Sequence, residues 1–315
     1  MFKKKSAIFR EREAIIVTEL GAFDLSDTLE CGQAFRYERT VYESGYVEYI
    51  TVVGETLLRV GQRERGELIV YGVSDEEFEN TVRGYFSLDT DYEAIREDIK
   101  SRTDSEWLKN AAESAKGIVI LKQDPWEALF SFIVSQNNNI PRIRKIIRAL
   151  SAEYGKNLAR CKGLASCPLG GAMPSEESCR ACGICYTFPS AKAVAERPEG
   201  LLPSHPGFRY KYLLDAAEKV STGEIDLEKI SDMKSYESSL ENLTAIKGVG
   251  EKVASCTALF GLGNLDAFPI DVWMKRAIDT YFDGKLDHKA LGKYAGVAQQ
   301  YIFHYIRNLE KEDKM

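Results

Sequence analysis

The 315-residue chain has no apolar run approaching the ~20 residues that a membrane-spanning helix needs. Its N-terminal stretch, MFKKKSAIFRERE, is basic but has no apolar core behind it. It therefore does not read as a secretory signal, and the protein is expected to stay in the cytoplasm where it is made. Bulk positive charge is missing too. The net charge of −6 argues against a partner held by general cationic attraction, although local patches can still bind an anion. One such patch is PRIRKIIR, with Arg142, Arg144, Lys145 and Arg148 and no acid. No internal repeat and no low-complexity segment stands out. Hydrophobic residues make up 44% and charged residues 29%, as in an ordinary globular protein with room for two or three cores.

The first seventy or so residues are rich in aromatic and β-branched side chains with turn glycines. YVEYITVV (46–53), TLLRVG (56–61) and ELIVYG (67–72) read as strands of an antiparallel meander. Ser74 then opens a helix through the capping box SDEE, and the pattern stays helical from there. Asp124-Pro125 starts the apolar helix WEALFSFIVSQ, which stops at Asn137-Asn138-Asn139. Further helices are expected over 141–154, 209–220, 234–243, 251–260, 272–282 and 288–310. The fold class is α+β: a β-rich domain over 1–110, then a helical domain over 111–315 with a Gly/Pro/Cys-rich insertion at about 156–190.

The densest chemical signal is AIKGVGEKVASCTALFGLGNLDAFPIDVW, residues 245–273. Two glycines, Gly248 and Gly250, make a tight turn between helices and permit close approach of a partner. The free amides at the start of the second helix suit a phosphate, gripped without reading sequence. Lys252 sits in that first turn, where the helix dipole and partial burial would lower its pKa. A neutral amine there could form a Schiff base. Cys256 shares its helix face. Asp271, after Phe-Pro-Ile, is placed as the N-cap of the next helix. Either residue alone is more often a solvated charge or a plain cap; together they are not.

This segment resembles the catalytic core of the helix-hairpin-helix–GPD superfamily of DNA glycosylases, and within it the 8-oxoguanine DNA glycosylase family. The resemblance runs from about Cys31 to Phe303 in several separate motifs. It implies that Lys252 attacks C1′ of the damaged nucleotide, that Asp271 assists and stabilises charge on the sugar, and that the covalent imine permits β-elimination. Monofunctional relatives lack this lysine and activate water. No cofactor is required for the chemistry.

Three further motifs fit the resemblance. CGQAFRY (31–37) is similar to the family's GQ-x-FRW segment, with Tyr37 for Trp; the implied role of Gly32 is to offer its carbonyl to the N7 hydrogen that 8-oxoguanine has and guanine lacks. In YAGVAQQYIFHYIRN (294–308), Gln299 would bond the Watson–Crick edge of the extruded base, while Phe303 and Cys256 sandwich it. In LFSFIVSQNNNIPRIRKII (129–147), Asn137 matches the residue that fills the hole left in the duplex, and Arg142 matches one reader of the orphaned cytosine. GFRYKY (207–212) supplies the wedge, Phe208, and the second reader, Arg209.

The sequence departs from that family at two places. Trp273 replaces the usual histidine two residues after the catalytic aspartate, so the phosphate contact expected there is in doubt. Cys161, Cys167, Cys179, Cys182 and Cys185 fall in one short stretch, dense enough to suggest structural zinc or an iron–sulfur cluster; the alternative is a reduced, loosely ordered loop. The reading is a monomeric bifunctional glycosylase/lyase of base-excision repair acting on 8-oxoguanine opposite cytosine in double-stranded DNA. The rivals are a glycosylase for another damaged purine and a non-catalytic helix-hairpin-helix DNA-binding module.

Overall fold

A computed structural model describes residues 7–11, 13–161, 164, 166–170 and 172–312. Six strands form one antiparallel sheet: β1 (Ala7–Glu11), β2 (Ala14–Thr18), β3 (Tyr37–Val41), β4 (Val47–Val53), β5 (Thr56–Gln62) and β6 (Leu68–Tyr71). Their order across the sheet is β1-β2-β6-β5-β4-β3. The meander expected from the sequence is therefore the β4–β5–β6 centre, and three more strands extend it on both sides. The edge strands lack an alternating apolar pattern for a physical reason. β1 is AIFRE and almost fully exposed, and β3 is YERTV and exposed beyond its first two residues. Charge on an edge strand discourages further pairing. Alternation is clear in β2, where Ile15 and Val17 enter the main core while Ala14 and Ile16 join a small cluster with Ile69 on the opposite face.

Helices follow the sheet in chain order. Those that build the site are α1 (Leu25–Glu30), α2 (Pro125–Ser135), α3 (Ile140–Tyr154), α4 (Tyr210–Ser221), α5 (Tyr236–Thr244), α6 (Glu251–Phe260), α7 (Val272–Tyr281) and α8 (Ala295–Glu312). The capping box at Ser74 is formed, with both reciprocal bonds present. The helix expected over 288–310 is interrupted. Gly292 takes φ 69°, which breaks the run into a 3-10 turn over His288–Tyr294 and then α8. One continuous set of buried side chains runs from Ile15 to Ile306, so sheet and helices share a core.

The sheet is tied to the helices by Arg36. This side chain is 4% exposed, and its fork meets Glu127 of α2 through Nε and Nη2, both at 2.7 Å. Its remaining donors reach the carbonyls of Val52 in β4 (3.0 Å) and of Tyr186 near the end of the Cys-rich insertion (2.8 Å). A buried, fully bonded ion pair adds little net stability, but removing one partner strands the other charge. Glu127→Gln is expected to cost about 3–5 kcal/mol, read as a lower urea midpoint at unchanged m-value.

Candidate active site

The segment around Gly32 is held from two sides. Gln33 is fully buried, and its amide nitrogen donates to the carbonyls of Thr28 (2.9 Å) and Val119 (2.8 Å) while its oxygen accepts from the Leu121 amide (2.9 Å). From the other side, Gln300 of α8 donates to the Cys31 carbonyl at 3.0 Å. Gly32 itself has φ 89°, and a Cβ there would stand 3.4 Å from the Phe303 ring. Among the described residues its carbonyl receives no hydrogen bond.

Lys252 lies in the first turn of α6, after the hairpin. Gly248 packs against α4, since a Cβ there would fall 2.4 Å from the Tyr212 ring; around Gly250 the space is open. The Lys252 amine sits 3.3 Å from Ser135 Oγ and 5.1 Å from the centre of the Phe132 ring. Ser135 donates its own hydrogen to the Phe132 carbonyl (2.8 Å), which leaves a lone pair facing the amine. Ser135 and Phe132 were not singled out from the sequence; their only signal is position at the end of an apolar helix. Burial pushes the Cys256 thiol pKa up, the Lys252 charge and hydrogen bond pull it down, and the Asp271 charge pushes it up. The thiol thus lies within the fields of both proposed catalytic groups. Asp271 caps α7, with Oδ1 accepting from the Met274 amide at 2.9 Å.

Lys252, Asp271, Gly32, Cys256, Gln299, Phe303 and Asn137 all line one cavity of about 730 Å³, a size that suits a small ligand. Trp273 lines it as well, with the Arg276 guanidinium 5.2 Å from its ring. Gln299 is 4% exposed, and its side-chain oxygen has no hydrogen-bond partner among the described residues. An unmatched buried acceptor costs about 1–3 kcal/mol, which a ligand carrying N–H donors would relieve.

The three asparagines divide their work. Asn139 caps α3, accepting from the Arg142 amide at 3.0 Å. Asn138 donates back to the Val134 carbonyl near the end of α2 (3.1 Å). Asn137 is left exposed in a left-handed conformation, φ 46°. Arg209 is buried beneath it and donates to the carbonyls of Gln136 and Asn137 (2.8 Å each) and Pro206 (3.1 Å). Burial and the neighbouring Arg142 charge lower the Arg209 pKa. Arg142 is exposed and pairs with no carboxylate among the described residues. Phe208 stands 48% exposed, stacked edge-on against Tyr212. In the basic patch, by contrast, Arg148 is spent internally on Tyr37 and Glu38, and Arg144 on the Tyr37 carbonyl.

The metal expectation finds no support. Among the described residues no three His, Cys, Asp or Glu side chains are arranged to hold an ion, and the Cys161 side chain lies outside them. Cys167, Cys179, Cys182 and Cys185 are free thiols; burial, then the nearby cysteines, pushes Cys185 up to about 12. Among the described residues, dense spacing in sequence is not matched by a ligand geometry.

Residues 15–129 match the family model for the N-terminal domain of 8-oxoguanine DNA glycosylase. The fold resembles MBOgg1 in complex with a low-affinity DNA ligand, at 33% identity and a TM-score of 0.81, covering 98% of this chain and 100% of that one. The 8-oxoguanine glycosylase/lyase of Clostridium acetobutylicum, solved on duplex DNA with cytosine opposite 8-oxoguanine, matches at 31% identity, TM-score 0.80, with 98% and 100% covered. The chain belongs to the 8-oxoguanine DNA glycosylase family. It is also 26% identical over 226 residues to the N-glycosylase/DNA lyase of Saccharomyces cerevisiae, a match spanning 66% of this chain and 52% of the yeast enzyme. No helix among the described residues is long and apolar enough to cross a membrane.

In this glycosylase-family chain the cap and the chemistry at Asp271 can be separated. Asp271→Asn keeps an N-cap acceptor and should leave thermal stability within about 0.5 kcal/mol, whereas Asp271→Ala should lose a further ~1 kcal/mol. Calorimetry on both variants beside base-release assays checks this: equal stability with unequal activity marks the carboxylate charge itself.

Proposed function

We propose that this protein excises 8-oxoguanine from duplex DNA and cleaves the strand at the resulting sugar. The observation that carries the reading is one cavity lined together by Lys252, Asp271, Gly32 and Gln299, the last with a buried amide oxygen that has no hydrogen-bond partner among the described residues. The base would be flipped into that space, since its glycosidic bond is out of reach inside the stack. Gln299 Oε1 would accept from the N1 and N2 hydrogens of the Watson–Crick edge, Gly32 C=O from N7–H, and Phe303 with Cys256 would flank the ring. The Lys252 lone pair forms the bond to C1′ as the C1′–N9 bond breaks, and its electron pair leaves on the purine, which takes up a proton. The Asp271 carboxylate stabilises the positive charge that develops on the sugar. Opening of the sugar ring gives the imine, and loss of a C2′ proton expels the 3′ phosphate. The amine supplies both nucleophile and electron sink, so no cofactor enters. The hairpin amides around Gly248 and Gly250 would hold the backbone, with Phe208 as wedge and Asn137 in the vacated stack. In a prokaryotic cell this work lies at the DNA in the cytoplasm.

Lys252→Gln is expected to abolish both base release and the covalent band trapped by borohydride on an 8-oxoguanine·cytosine duplex, with lesion binding retained. A wild-type protein that releases base without any trapped band would instead assign water as the nucleophile.

We also propose cytosine as the preferred opposite base. Two guanidinium groups beside Asn137, neither neutralised by a carboxylate among the described residues, suit the O2 and N3 acceptors of cytosine. Arg142 is the one to remove, because truncating buried Arg209 would also free the carbonyls that shape the Asn137 turn. Arg142→Ala should shrink the preference for cytosine over adenine opposite the lesion by about tenfold or more, read by single-turnover release from the two duplexes. An unchanged ratio would make Arg142 a phosphate contact.

A further inference from the structure

Arg307 is a half-buried cation at the cavity wall that no motif singled out. It lies on α8 one turn beyond Phe303, as Phe303 lies one turn beyond Gln299, so the three share one face. Its guanidinium is centred 5.2 Å from the Phe303 ring centroid. Its Nη1 is 3.8 Å from the point where a Gly32 Cβ would stand. Its charge opposes the burial that raises the Cys31 and Tyr37 pKa values. Among the described residues it makes no ion pair and no hydrogen bond. Arg36, Arg144 and Arg148, by contrast, each bond a carboxylate or a carbonyl. Five donors beside an open cavity are therefore left for a ligand.

The order of the three residues along α8 says which ligand atom. Gln299 and Arg307 are about 12 Å apart along the axis, at 1.5 Å per residue, with Phe303 midway. A purine stacked on Phe303 with its Watson–Crick edge at Gln299 points its imidazole end towards Arg307. Gly32 sits at that same end, beside both Phe303 and Arg307, where its carbonyl meets N7–H. The atom next to N7 on the side away from the Watson–Crick edge is C8. We propose that Arg307 donates to O8 of the flipped base and is a lesion-reading residue; this rests on the base orientation given above. Guanine carries C8–H at this place and offers no acceptor, so the guanidinium would be desolvated without a partner. Two adjacent groups then read the lesion with opposite polarity: a carbonyl for N7–H and a cation for O8. As the glycosidic bond breaks, charge that spreads from N9 onto O8 would meet the same guanidinium.

The test measures binding of wild type, Arg307→Met and Arg307→Lys to two duplexes opposite cytosine, one with 2′-fluoro-8-oxodeoxyguanosine and one with 2′-fluorodeoxyguanosine. The fluorine blocks cleavage, so affinity alone is read. Arg307→Met should lose about 10- to 100-fold for the lesion duplex, as expected for a hydrogen bond to a charged donor, with little change for the guanine duplex. Arg307→Lys should recover part of the loss. An unchanged lesion-to-guanine ratio in Arg307→Met overturns the proposal. So does an equal loss on both duplexes with a shallower salt dependence, which would mark a phosphate contact. Borohydride trapping on a ready-made abasic site reports the integrity of the fold, and its loss in Arg307→Met would make the residue structural and overturn the proposal too. If wild type itself does not distinguish the duplexes, the base orientation fails first and Arg307 with it.

Discussion

The structure depends on the fixing of one backbone carbonyl. Gly32, whose C=O is proposed to read the base, lines the cavity between two residues that are held by hydrogen bonds. Gln33 is clamped by Thr28, Val119 and Leu121, and Cys31 is bonded by Gln300. Those partners come from α1, from the strand-like stretch before α2 and from α8, so the carbonyl's position is set by how sheet and helices dock. The docking is in turn fixed by the Arg36–Glu127 fork. A hydrogen bond that separates N7–H from a bare N7 needs such rigidity, because a mobile carbonyl would simply turn away from the wrong base.

Electrostatics around the site are arranged by pairing, not by bulk charge. The chain is acidic overall, at −6, and most cations near the sheet are neutralised locally. Arg142, Arg209 and Arg307 have no carboxylate partner among the described residues, and they cluster at two places: beside Asn137 and beside Gly32. An anionic duplex needs only these local fields and the hairpin amides to dock. The negative remainder of the surface limits indiscriminate binding.

The sequence shows some of this well and some not at all. Helical spacing puts Lys252 with Cys256 and Gln299 with Phe303 on shared faces, and a helix-start signal marks Asp271; that these groups meet in one site is implied by the resemblance to the glycosylase family, not by spacing. Strands β1 and β3 stayed hidden, because an edge strand carrying charge has no apolar alternation to betray it. Gly292 falls inside the helix expected over 288–310; only its φ of 69° shows the break before α8 begins at Ala295. Ser135 and Arg307 were invisible for a different reason. Their significance lies in contacts with residues far away in the chain, Lys252 and Gly32, which no local spacing encodes. The cysteines differ again: their density along the chain suggests a metal site, but among the described residues no coordination geometry accompanies it.

Three residues around the cavity share a further property. Ser135, Asp271 and Asn137 each lie at or beside the end of a helix. Ser135 closes α2, gives its proton to Phe132 and keeps a lone pair for Lys252. Asp271 opens α7, commits Oδ1 to the Met274 amide and lines the cavity. Asn137 is followed by Asn138 and Asn139, which bond the helix ends on either side, so its own side chain is spared. A helix end must satisfy its orphan amides and carbonyls in any case. When several ends converge, the groups that do so are already oriented to within a bond's tolerance, and their remaining valences define the active site without added strain. A mutation that removes a whole side chain here therefore deletes a cap and a function together, and only an isosteric change can tell which of the two was lost.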